Sequence, residues 1–177
     1  MASDATQRKM SRVDSRKLRR TVPAELRRGF EAAAAGREQE LSELLSSDPG
    51  FFTATSEVDT RTLLHAACFA GQARCVRVLL GAGALVEQRM RGGITPLIAA
   101  AQSGSVECVQ ILVAARADIY AVAMGKTALQ HAQTLAQGAR TEEGGWTAVA
   151  ATLAYAEKAQ ALREESALFD RQAEALQ

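Results

Sequence analysis

Apolar residues along this chain fall into short helical stripes separated by glycines and polar turns. The segment "ELRRGFEAAAAG" (25–36) reads as a helix that stops at Gly36, with Pro23 suited to its first turn. A second, "EQELSELLSSDPG" (38–50), puts Leu41, Leu44 and Leu45 on one face and ends at Asp48-Pro49-Gly50. Beyond it, "RTLLHAACFAG" (61–71) and "CVRVLLGAGA" (75–84) return 33 residues later as "ITPLIAAAQSG" (94–104) and "CVQILVAARA" (108–117). A period of this length marks one supersecondary unit stacked on copies of itself, each copy supplying the wall that its neighbour lacks.

Within the unit the residue types fix the ends of the helices. Thr62 and Thr95 stand where a hydroxyl can cap a short helix, and Pro96 follows Thr95 in the first turn, where no donor is lost. Gly83 is placed to end a second helix in the left-handed conformation, and Arg116 has to take the same place in the next unit. A third unit opens at "GKTALQHAQ" (125–133), with Thr127 32 residues after Thr95. The connection "AQGARTEEGG" (136–145) is then longer than its counterparts, and the chain from Trp146 to Gln177 contains neither proline nor glycine.

The fold expected is an all-α helical solenoid with short hairpin loops, a flexible basic N-terminal arm and a long C-terminal helix. The divisions are an arm over 1–22, a capping helix pair over 23–57, repeats over 58–90, 91–122 and, divergent, 123–157, and a helix extension over 158–177. That last helix carries a heptad seam taken as inward-looking: Thr152, Tyr155, Ala159, Leu162, Ser166, Phe169, Ala173 and Leu176. Two uses compete for it. The helix folds back to cap the last repeat, or it projects past about Gln160 and docks on another helix through Leu162, Phe169 and Leu176.

Charge separates the arm from the rest. Residues 1–29 hold nine basic and three acidic side chains, whereas the remainder holds twelve basic and seventeen acidic. Such an arm suits a solvated tail, a localisation signal or, less favoured, a contact to nucleic-acid phosphate. Asp4 and Asp14 count against a mitochondrial presequence, and no secretory signal opens the chain. No apolar run reaches the length of a membrane span. Three cysteines, Cys68, Cys75 and Cys108, form no zinc spacing with the two histidines. They read as small buried hydrophobes in a reducing compartment, so the cytoplasm, or alternatively the nucleus, is expected.

The hexapeptides "TLLHAA" (62–67), "TPLIAA" (95–100) and "TALQHA" (127–132), at this period, resemble the ankyrin-repeat motif over about residues 25–155. "LLGAGALV" and "LVAARADI" resemble that family's helix-ending segment. Thr60 stands in place of a glycine, Leu63 of a proline, and Ile98 and Gln130 of histidines. The resemblance implies antiparallel helix pairs in an L-shaped stack that binds proteins through its hairpin tips and the concave face of the first helices. It implies no catalytic activity and no cofactor.

No spacing of carboxylate, cysteine or serine with His65 or His131 forms a triad or acid–base pair. His65 occupies the motif position where the family uses the ring to bond neighbouring turns, and His131 stands one place further on. The motif leaves Phe69, Gln72, Gln102, Ser103, Ser105 and Gln133 on the first-helix surface. On the hairpins, Arg89, Met90, Arg91, Tyr120 and Met124 are residue types enriched where proteins bind. The expected function is a non-enzymatic adaptor or scaffold for protein partners. The alternative is a structural subunit of a larger ribonucleoprotein, organellar or cytoskeletal assembly, with the arm on nucleic acid or an acidic partner.

Overall fold

The computed structural model describes residues 24–47, 55–56, 59–138 and 145–175, without the side chains of 168–170 and 172–175. The basic arm, Pro23, the stop at 48–50 and the unit start near Val58 lie outside the described residues, as do the side chain of Phe169 and all of Leu176. Helices α1 (Ala24–Ala35) and α2 (Glu38–Ser47) form the first pair. Next come α3 (Leu63–Phe69) with α4 (Ala73–Gly81) and α5 (Pro96–Ser103) with α6 (Val106–Ala114). The last pair is α7 (Ala128–Gly138) with α8 (Trp146–Ala175). Helices α1, α3, α5 and α7 pack in one layer, and α2, α4, α6 and the start of α8 in the other.

Alanine is what lets the first layer close. Ala66, Ala67, Ala99, Ala100 and Ala101 are buried between neighbouring first helices, and Leu63, Leu64, Leu97 and Ile98 fill the space beside them. Second helices contribute Leu41, Val76, Leu79, Val109 and Leu112 to the same continuous core. Ion pairs across the outer layer, such as Arg77 with Glu107 at 2.9 Å, are exposed on both sides. They add little beside the apolar contacts.

The three unit openings use one device with different chemistry. Thr62 Oγ1 accepts the His65 amide at 3.3 Å, and the Thr62 amide donates to His65 Nδ1 at 3.4 Å, a reciprocal cap. Thr95 Oγ1 accepts the Ile98 amide at 3.3 Å, with Pro96 in the first turn. In the third unit Gln130 does what His65 does in the first, its Oε1 accepting the Thr127 amide at 3.0 Å. The equivalent positions Gly83 and Arg116 both have positive φ, +96° and +65°.

One feature departs from an all-α chain. Val122–Ala123 (β1) and Lys126–Thr127 (β2) form a two-stranded antiparallel ladder in which Val122 faces Thr127 and Ala123 faces Lys126. Its turn is Met124-Gly125, both at positive φ (51° and 74°), the requirement of a type I′ hairpin. The fold is therefore mostly helical, with a minimal sheet at the last hairpin.

Candidate interaction surface

The residues left over by the motif divide into two groups. Several first-helix residues are already engaged inside the stack. Gln72 lies over Gly36 and donates from Nε2 to the Ala34 carbonyl at 3.4 Å, joining the first two helix pairs. Gln102 pairs its Nε2 with His131 Nδ1 at 3.4 Å, and its backbone carbonyl accepts Trp146 Nε1 at 3.1 Å. Ser103 Oγ donates to the Ala100 carbonyl at 2.8 Å, and Ser105 Oγ caps α6 by accepting the Cys108 amide at 3.3 Å. Phe69 is half-buried with the Arg61 guanidinium 5.1 Å from its ring centre, and Arg61 pairs with Asp59 at 3.2 Å. Gln133 is exposed.

The hairpins present the other group. From Ala117 to Met124 burial alternates strictly: Ala117, Ile119, Ala121 and Ala123 point inward, while Asp118, Tyr120, Val122 and Met124 point out. Tyr120 is 48% exposed, Val122 50% and Met124 61%. The preceding hairpin repeats the pattern 33 residues earlier, with Leu85, Glu87, Arg89 and Arg91 outward. Arg89 Nη1 donates to the Val122 carbonyl at 3.3 Å, which sets the two ribbons side by side. Met90 is partly buried against the core and bonds the Ile94 carbonyl through its amide.

Sequence reasoning missed Val122 and Leu85. The signal was present: small or apolar residues at 117, 119, 121 and 123 have the period of an extended ribbon, so the residues between them must face outward.

Both histidines hold turns together. His65 accepts at Nδ1 from the Thr62 amide, so Nε2 carries the proton and donates to the Ile94 carbonyl at 3.0 Å. Burial lowers its pKa to about 4, against the opposing pull of that carbonyl. His131 makes the corresponding link from Nε2 to the Ala123 carbonyl at 3.1 Å, inside its own hairpin. Cys68, Cys75 and Cys108 are buried thiols, and burial raises the pKa of each. Among the described residues no group of His, Cys, Asp and Glu could hold a metal ion, and no helix is long and apolar enough to cross a membrane.

Helix α8 has two parts. Val149 and Leu153 are buried against the stack, and residues 161–167 are all exposed. The face packed on the stack is therefore the one carrying Val149 and Leu153, not the seam. Tyr155, 76% exposed, and Leu162, 57% exposed, look away from it. The reason is phase: the turn at Gly145-Trp146 fixes the helix rotation, and Tyr155 lies two residues past Leu153, about 200° around the axis.

A family model described as ankyrin repeats (3 copies) matches residues 30–123, just over half of the chain. The match begins inside α1, takes in α2 and ends before α7. Among curated proteins, the human ankyrin repeat and KH domain-containing protein 1 is 42% identical over 65 residues, 37% of this chain and 3% of that protein. A probable E3 ubiquitin-protein ligase of rice (Oryza sativa subsp. japonica), XBOS31, is 33% identical over 105 residues, 58% of this chain and 24% of that protein. The Drosophila melanogaster ankyrin repeat and KH domain-containing protein mask is 40% identical over 65 residues, 37% of this chain and 2% of that protein. The chain thus spans a quarter or less of each of these relatives. With the 33-residue unit, the threonine-capped turns and the family match in agreement, this chain belongs to the ankyrin-repeat family.

Proposed function

We propose that the chain is a non-enzymatic protein-binding module, an adaptor or scaffold of the cytoplasm, that meets its partner through the two hairpin ribbons. The observation that carries this reading is the exposed apolar ridge Tyr120–Val122–Met124 beside Arg89. The concave first-helix residues contribute less, because Gln72, Gln102, Ser103 and Ser105 spend their polar atoms inside the stack. Anchors of this kind cost binding far more than folding when truncated. The double variant Tyr120→Ala, Val122→Ser should lose its co-purifying partners and keep a thermal midpoint close to native. A midpoint that collapses, with partners retained until unfolding, would show that these side chains serve the fold alone.

A second reading is favoured by the exposed run 161–167 of α8. We infer that residues 158–177 extend beyond the third repeat and pair with another helix through a seam that includes Leu162, Phe169 and Leu176. Leu162 is exposed on a segment that leaves the stack at about Gln160. Truncation after Gln160 should leave stability within about 0.5 kcal/mol of native, as for other surface changes, and abolish self-association or one partner. A destabilised stack would instead assign the segment to capping.

A further inference from the structure

We propose that the outward face of α8 pairs with the same face of a second copy of this chain, the two helices running antiparallel about a point between Gln160 and Ala161. This rests on the helix-docking reading above and adds the partner and its orientation.

The first observation is where the face lies. Taking Leu153 as the origin, Val149 falls within about 40° of it, whereas Tyr155, Ala159, Leu162 and Ser166 fall between about 180° and 240° around the axis. Val149 and Leu153 are buried on the stack, so the face that carries Tyr155 and Leu162 looks away from it, and both of these side chains are mostly exposed. A second helix laid along this face would cover Tyr155 and Leu162 and leave the packed face untouched.

The second observation is size. Large and small residues alternate along the face: Tyr155, Ala159, Leu162, Ser166. A parallel pair would oppose like with like, crowding tyrosine on tyrosine and leaving a gap between two alanines. In an antiparallel pair each layer holds one large and one small side chain, Tyr155 with the partner's Ser166 and Ala159 with the partner's Leu162. Two-fold symmetry makes each layer twice, and one interhelical spacing then serves them all.

The third observation is charge. Lys158 and Glu165 lie on one edge of the face, one heptad apart, and both are exposed. Neither has an oppositely charged residue three or four places away along the helix. In the register that pairs Ala159 with the partner's Leu162, Lys158 stands opposite the partner's Glu165, and Glu165 opposite the partner's Lys158. Sliding the register by a heptad in either direction opposes Lys158 or Glu165 to its own copy. A parallel pair would set Lys158 beside the partner's Arg163, cation on cation. The surface is complementary to itself only when reversed, which is the condition for a two-fold dimer.

Sedimentation equilibrium of the full chain and its variants tests this. The chain should dimerise, and Leu162→Ala should raise the dimer dissociation constant about tenfold or more, the effect of removing a central anchor. Alanine keeps the helix propensity, so that loss reports a contact and not fraying. Lys158→Glu alone and Glu165→Lys alone should each weaken the dimer. An equimolar mixture of these two variants should restore it as a heterodimer, because each chain then supplies the charge that the other needs. A chain that stays monomeric overturns the inference, and truncation after Gln160 then still shows whether the segment docks on another protein. A dimer lost with Leu162→Ala but tightened by the charge reversals, or indifferent to them, has another orientation or register. That result overturns the inference and leaves the docking reading standing. A dimer indifferent to all three variants forms through another surface and overturns the inference. If truncation after Gln160 also costs neither dimer nor partner, the docking reading falls with it.

Discussion

Between pH 7 and pH 4 the native chain should lose about 3 kcal/mol more stability than the variant His65→Gln. The ring is neutral in the fold and bonded on both nitrogens, and burial lowers its pKa from 6.5 to about 4 against the opposing pull of the Ile94 carbonyl. In the unfolded chain it binds a proton near pH 6.5, so below that pH the unfolded state takes up a proton that the folded state refuses. The contribution of His65 is complete above about pH 6.5 and is lost as the pH falls towards 4. Arg61 adds to the effect and Asp59 opposes it. Glutamine is the proper control because Gln130 makes the same bond to its own threonine in the third unit. Denaturant unfolding of both proteins across this range provides the measurement. Parallel stability curves would mean that His65 takes up its proton in the folded state at its ordinary pKa.

Replacing Gly145 by alanine should destabilise the stack by about 2–4 kcal/mol, the left-handed penalty plus the displacement of a packed helix. Gly145 has φ +65°, and a Cβ there would run into the carbonyl of Gly104, backbone against backbone with no side chain able to yield. This contact and the bond from Trp146 Nε1 to the Gln102 carbonyl seat the start of α8 on the turn between α5 and α6. Val149 and Leu153 then enter the core. Trp146→Phe removes the bond together with part of the ring and should cost about 1–2 kcal/mol. Thermal unfolding of the two variants separates the contributions. If Gly145→Ala stays within about 0.5 kcal/mol of native, the range of a neutral surface change, the close approach is not what seats the helix.

The stack itself was legible because its instructions are local and repeated. Thr62, Thr95 and Thr127 each cap within three residues, and Gly83 with Arg116 marks one backbone conformation twice. The uses of Gln72 and Gln102 were not legible from the motif, which leaves those positions open. What they bond, Ala34 and His131, lies 38 and 29 residues away and depends on how neighbouring pairs sit together. The rotation of α8 was equally hidden. A heptad pattern gives a seam but not the direction it faces, and here the Gly145–Gly104 contact decides it. Tyr120 and Met124 were named from residue type alone. Their shared face with Val122 needed the alternation of the ribbon, a period of two set inside a chain otherwise read at a helical period.

The far half of α8 also has a fixed length and a fixed phase. About fifteen residues follow Gln160, a rod of roughly 22 Å at 1.5 Å per residue. Whatever engages its end is held at that reach and at one angle about the axis. Adding a single residue near Ala161 would lengthen the rod by about 1.5 Å but swing everything beyond it by about 100°. Adding seven would restore the angle to within about 20°. Insertions here are therefore felt as rotation long before they are felt as distance.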